Sequence, residues 1–131
     1  MSVDSIGDFL TIIRNGIMVS KRSVKAPHSL LKLKIAQILK DEGFIKDVVV
    51  DELDAAKKEI TIFLKYVKGE SVIHEITRMS TPGRRMYVGH SSYKPVIGGL
   101  GLSIVTTNQG IMSTKQARQR GVGGEVLCSV W

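Results

Sequence analysis

Residues 106–109 read Thr106, Thr107, Asn108, Gln109, four hydrogen-bonding side chains in a row between two apolar stretches, closed by Gly110. Ser113 and Thr114 follow where a short helix is expected to start, and free backbone N–H groups at such a start favour an anion such as phosphate. Lys115 and Arg118 lie three apart and so share one face of that helix, while Arg84, Arg85 and Lys94 add charge from the preceding segment. This is chemistry suited to a polyanion. The wide, shallow minor groove of RNA presents 2′-hydroxyls and base edges that hydroxyl and amide side chains can read at close range. An ordinary surface loop uses the same residue types, and the basic helix directly after the run is what favours recognition. Tyr87 has two readings, a half-buried strand residue or an exposed ring on which an unstacked base sits. Glu125 also has two: it pairs with a nearby arginine, or it accepts from a base amino group or a 2′-hydroxyl.

Enzyme chemistry finds little support. Gly99-x-Gly101 resembles the start of a dinucleotide fingerprint, but Ile104 stands at the third glycine position and a strand is expected next, not a helix. No Gly-x-x-x-x-Gly-Lys loop and no Gly-x-Ser-x-Gly elbow occurs. His28, His74 and His90 sit in different elements without ligand spacing. The single cysteine, Cys128, excludes a disulfide framework and reads as a small buried hydrophobe. The C-terminal half carries one carboxylate, so no paired acid/base mechanism can be built within it. No catalytic residue, metal or cofactor is expected.

The elements that must position these residues follow from periodicity. Ile6, Phe9, Leu10, Ile13 and Ile17 form one face of a helix over residues 4–20, capped by Asp4 or Ser5. A short strand over 24–26 precedes Pro27. Ser29 caps a second helix with the stripe Leu31, Ile35, Ile38 and Leu39, ended by Gly43. Residues 44–50 and 59–65 are rich in branched side chains and predict strands. In the second half, Lys68 and Gly69 form a turn, and strands are expected at 71–78, 84–88, 102–106 and 125–131. Ser113 and Gln116 have the spacing of a capping box opening a helix through Arg120, which Gly121 ends. The class is therefore α+β, with two small α/β domains. The first, 1–68, is α-β-α-β-β with two helices on one face of a sheet; the second, 69–131, is mostly β with one short helix.

Charge divides along the same line. Residues 1–75 hold 12 basic and 11 acidic side chains, whereas residues 76–131 hold seven basic and one acidic, a net +6 of the chain's +7. The polyanion partner is thus expected on the second half. Nothing approaches the roughly 18 consecutive apolar residues of a membrane span. The first four residues lack a charged start and apolar core, so no signal peptide and a reduced, cytosol-like setting are expected.

Residues 98–118 (Gly-Gly-Leu-Gly-Leu-Ser-Ile-Val-Thr-Thr-Asn-Gln-Gly-Ile-Met-Ser-Thr-Lys-Gln-Ala-Arg) resemble the signature of the bacterial-type small-subunit ribosomal protein eight family. So do Thr-x-Ile-Arg-Asn-Gly at 11–16, Asp-Glu-Gly-Phe-Ile at 41–45, Pro-Gly-Arg-Arg-Met-Tyr at 82–87 and Gly-Val-Gly-Gly-Glu at 121–125. The resemblance spans the chain. It implies a two-domain protein without catalytic activity that binds the central domain of small-subunit rRNA, mainly through its C-terminal domain, and acts early in subunit assembly. Neighbouring ribosomal proteins are implied partners, as is, for bacterial members, an mRNA site of the protein's own operon through which translation is repressed. A cytoplasmic or organellar ribosome is the implied setting, with no membrane. Carried over by position, Thr106, Thr107 and Asn108 fall in the family's RNA-contact loop with Gly110 as its closing glycine. Tyr87 and Glu125 match its tyrosine and its glutamate after the glycine pair. The chain departs from the common pattern in having Thr107 and Gln109 where a serine and a basic residue often stand, and Leu30 after Ser29 where a lysine is frequent.

Overall fold

The computed structural model describes residues 4–93 and 101–131; Lys94, Gly98 and Gly99 lie outside the described residues. The first helix, α1 (Ser5–Met18), buries Ile6, Phe9, Leu10 and Ile13, and its first turn is closed by the Asp4 carboxylate accepting from Gly7 N at 3.0 Å. Strand β1 (Ser23–Pro27) leads to α2 (Leu30–Asp41), where Ser29 Oγ accepts from Lys32 N at 3.1 Å. Helix α2 ends in paired backbone bonds, Phe44 N to Leu39 O and Gly43 N to Lys40 O, with Gly43 at φ +83° as its position after the apolar stripe predicts. Strands β2 (Ile45–Glu52) and β3 (Lys58–Leu64) complete a three-stranded antiparallel sheet in the order β1-β3-β2. Val24, Ala26, Ile60, Ile62 and Leu64 are buried in one cluster with the helix residues.

The chain leaves this sheet through a small hairpin, β4 (Tyr66–Val67) and β5 (Glu70–Ser71). Lys68 and Gly69 both have positive φ, 53° and 80°, which is the two-residue turn whose twist matches a hairpin. That hairpin corrects the expected strand over 71–78. Ser71 pairs backward with Tyr66, the backbone N–H groups of His74 and Glu75 both donate to Trp131 O, and only β6 (Ile76–Arg78) joins the second sheet. The expected strand over 84–88 is likewise shorter. Thr81 and Arg84 bond each other across a turn, leaving β7 (Tyr87–Val88) as the paired segment.

The second sheet adds β8 (Leu102–Thr107), β9 (Gly110–Ser113) and β10 (Gly124–Val130), in the order β6-β10-β8-β9, with β7 also on β10. The helix α3 (Thr114–Arg120) carries the capping box its sequence predicts: Ser113 Oγ accepts from Gln116 N, and Gln116 Oε1 accepts from Ser113 N. A register shift between Val126 and Cys128 on β10 divides the apolar side chains between the two faces. Val105, Met112, Val126 and Ala117 of α3 form one cluster; Leu102, Ile104, Cys128 and Val130 join the cluster of the first sheet and its helices. The α+β class read from the sequence is the observed one.

The two halves are also tied by charge. Arg78, whose side chain is 11% exposed, donates from Nε to Asp4 Oδ2 at 3.2 Å and from Nη1 to Leu127 O at 2.7 Å. Asp4 thus caps α1 and neutralises Arg78 with one carboxylate. Burial opposes its charge, but the Gly7 N–H and Arg78 outweigh that and hold its pKa below the usual aspartate value.

Candidate nucleic-acid interface

The second sheet places Tyr87, Glu125 and Thr106 in one row. Tyr87 of β7 is directly opposite Glu125 of β10, and Glu125 is directly opposite Thr106 of β8. Directly opposed residues of antiparallel strands point to the same face, so three side chains from three separate stretches project together. Tyr87 is 72% exposed, which decides its two readings in favour of an open ring. Glu125 and Thr106 are half-buried beside it.

This row depends on the glycine pair before Glu125. A Cβ on Gly124 would stand 2.2 Å from Thr106 O, and one on Gly123 would stand 2.6 Å from Val88 O. Only residues without a Cβ let β10 approach both neighbours this closely. The sequence suggests a simple turn at this pair; its further role is to let three strands meet.

Glu125 is fixed from the side. Its Oε2 accepts from Ser80 Oγ and from Arg85 Nη1, the latter at 3.1 Å, and Ser80 Oγ itself accepts from Met86 N at 3.2 Å. The Ser80 hydroxyl, with Arg85 and the more distant Arg78, holds the Glu125 pKa below the usual glutamate value, although burial opposes this. The carboxylate is therefore ionised at neutral pH. The pairing reading of Glu125 is realised with Arg85, while Oε1 has no hydrogen bond among the described residues. Ser80, fully buried, was not singled out by sequence reasoning, and nothing in its neighbours marks it.

The polar run forms a hairpin tip. Thr107 Oγ1 donates to Gly110 O at 2.9 Å and accepts from Gln109 N at 3.0 Å, so this hydroxyl shapes the loop. Gly110, at φ +111°, closes the turn where a Cβ would be strained. Asn108 and Gln109 are exposed, and their side chains bond no described residue. Ser113 is buried and its hydroxyl is used in the cap; Thr114 is half-buried at the helix start. On α3, Lys115 is exposed, while Arg118 donates from Nη2 to Tyr93 O and so braces the segment before residue 94. Tyr93 in turn donates to Val122 O at 2.9 Å. Arg84 is exposed at the turn beside β7.

The residues singled out in the sequence thus separate by task. Tyr87, Thr106, Asn108, Gln109, Arg84 and Lys115 present side chains outward; Thr107, Gly110, Ser113, Arg85 and Arg118 hold the backbone or each other. Among the described residues no group of three or more His, Cys, Asp and Glu is placed to hold a metal ion, and no described helix is long and apolar enough to cross a membrane. Cys128 is fully buried, and burial raises its thiol pKa to about 12.

Comparison with known proteins covers nearly the whole chain. The profile of the family described as Ribosomal protein S8 matches residues 4–131. The small ribosomal subunit protein uS8 of Stenotrophomonas maltophilia (strain K279a) is 51% identical over 127 residues, 97% of this chain and 96% of the relative. That of Delftia acidovorans is 52% identical over 127 residues, again 97% and 96% of the two chains. That of Saccharophagus degradans is 50% identical over 128 residues, 98% of this chain and 97% of the relative.

Proposed function

The chain belongs to the ribosomal protein S8 family, a structural and non-catalytic constituent of the small ribosomal subunit, and we propose that it binds the central domain of small-subunit rRNA through the second sheet. The observation that carries this reading is the row of Tyr87, Glu125 and Thr106 beside the exposed Asn108–Gln109 tip. An open aromatic ring can stack an unpaired base. A fixed carboxylate accepts from amino groups and 2′-hydroxyls, and rejects phosphate. The neutral tip reads base edges or sugars, while Arg84, Lys115 and the net +6 of residues 76–131 supply phosphate attraction.

On this reading residues 69–131 form the RNA-binding domain and residues 1–68 the α/β domain that backs it, with neighbouring small-subunit ribosomal proteins as further partners. An mRNA leader imitating the rRNA site would engage the same row, and its competition with rRNA is the test of autorepression. The setting is a ribosome in the cytoplasm.

If about four to six phosphates are neutralised, the slope of log K against log salt is about −3 to −5, at roughly 0.7–0.9 per phosphate. Replacing Thr107 and Asn108 together with alanine reduces discrimination between small-subunit rRNA and unrelated RNA, leaving that slope nearly unchanged. Filter binding across a salt series measures both. A double variant that lost only nonspecific affinity would remove the tip from the proposed interface.

A further inference from the structure

The row of Tyr87, Glu125 and Thr106 depends on an irregularity in β10. Glu125 and Cys128 are three residues apart, an odd spacing that a regular strand sends to opposite faces. Here they share a face: Glu125 stands opposite Thr106 and Cys128 opposite Ile104, and Thr106 and Ile104 are two apart on β8. Leu127 is the extra residue, without a partner on β8. If that bulge were lost while Cys128, Ser129 and Val130 kept their partners, Val126 would stand opposite Thr106. Glu125 would then turn to the face that carries Val105.

The bulge is held by its carbonyl. Leu127 O accepts from Met79 N at 3.0 Å and from Arg78 Nη1 at 2.7 Å. Arg78 stands directly opposite Cys128, so its side chain leaves the sheet on the face of the row. A guanidinium so largely enclosed needs a counter-charge, and Asp4, from the first half, supplies it. Arg78 Nε donates to Asp4 Oδ2 at 3.2 Å and to Oδ1 at 3.3 Å. Two residues on from Arg78, Ser80 Oγ donates to Glu125 Oε2. One short stretch therefore fixes the bulge through Arg78 and the carboxylate through Ser80.

We propose that Arg78 and Asp4 are positioning residues for RNA recognition: by pinning Leu127 O they keep the bulge that turns Glu125 into the row with Tyr87 and Thr106. The proposal rests on the reading of that row as the RNA contact; Arg78 and Asp4 act through Glu125 and need touch no RNA themselves. Arginine suits the task because its separate, coplanar nitrogens reach a carboxylate and a carbonyl at once, whereas an ammonium presents a single nitrogen. The residue that caps α1 in the first half thus sets the selectivity of a surface on the second.

The test compares Arg78→Lys, Asp4→Asn, Glu125→Gln and the double variant Arg78→Lys/Glu125→Gln in the full chain. Affinities for small-subunit rRNA and for an unrelated RNA are measured by filter binding across a salt series, at a temperature where melting curves show each variant folded. Arg78→Lys keeps the charge, so affinity for unrelated RNA and the salt slope should hold. Its preference for the rRNA should fall about tenfold, the equivalent of one lost hydrogen bond to a charged group. Asp4→Asn keeps a capping oxygen and should lower the preference by a smaller factor. In the Glu125→Gln background Arg78→Lys should cost little more, because both changes act through one carboxylate. An unchanged preference in either Arg78→Lys or Asp4→Asn, or losses that multiply in the double variant, overturns the proposal and leaves the RNA reading of the row standing. If Arg78→Lys does not fold, Asp4→Asn decides alone: a reduced preference supports the proposal and an unchanged one overturns it. A wild-type chain with no preference for the rRNA overturns both readings.

Discussion

Glu125→Gln pits charge against geometry. The substitution makes the chain more positive, so simple electrostatics expects tighter binding to any RNA. The structure expects the opposite for the specific site. Ser80 is fully buried and donates to Oε2, and exchanging a charge-assisted hydrogen bond for a neutral one costs about 1 kcal/mol. The Arg85 partner is 49% exposed on its side chain, so solvent screening limits that pair to about 0.2–1 kcal/mol. Together the loss is about 1–2 kcal/mol, or roughly 3–10 °C in Tm at this chain length. If the carboxylate also sets the row it shares with Tyr87 and Thr106, specific affinity for the rRNA site falls by a similar amount, about 5–30-fold. Affinity for an unrelated RNA stays level or rises slightly.

Both affinities are read by filter binding at fixed salt, with Tm as the fold control. Specific and nonspecific affinity rising together in the variant would refute the reasoning and leave Glu125 a mere counter-charge. A pH series supplies a second check. The folded pKa of Glu125 lies below its ordinary value near 4.5, chiefly through Ser80 and then Arg85, so its stabilisation is complete above that value. It is lost as pH falls through the folded pKa. The stability gap between wild type and variant is therefore full near neutrality and closes in acid.

Three further outcomes are expected. Gly124→Ala drives a methyl to within 2.2 Å of Thr106 O, a backbone atom that cannot yield without opening the ladder. The variant should lose at least about 2 kcal/mol in chemical denaturation and lose specific RNA binding with it. Asp4→Ala removes both the cap of α1 and the partner of Arg78, for about 2–4 kcal/mol, whereas Asp4→Asn keeps a capping oxygen and should recover about 1 kcal/mol of that; equal losses in the two would mean that the cap contributes nothing. Cys128 should stay unmodified by an aromatic disulfide reagent at pH 8 until denaturant is added; fast native-state labelling would contradict its burial.

What was legible in the sequence is what is local. Asp4, Ser29 and the Ser113–Gln116 box act within three residues of themselves, and all three cap helices as their spacing implies. The apolar stripes of α1 and α2 are likewise read within one element. The shortened strands at 71–78 and 84–88 were not legible, because what interrupts them lies elsewhere. Trp131 O captures two backbone donors at 74 and 75, and the Thr81–Arg84 turn is fastened through Ser80 to Glu125, 45 residues on.

Glu125 is legible in part from the sequence and in part only from the fold. From composition it is the one carboxylate in a half of net +6, and the two readings of it, ion pair or contact, look exclusive. A carboxylate has two oxygens. Oε2 is taken by Ser80 and Arg85, which fixes the ionised group in place; Oε1 has no hydrogen bond among the described residues, and the residue stands in the row with Tyr87 and Thr106. The ion pair is then the means by which a contact could be rigid. A carboxylate left free among cations would be drawn to whichever arginine came nearest, and its acceptor would have no set direction. Holding one oxygen gives the other a fixed position, at the expense of one positive charge that a phosphate would otherwise have met.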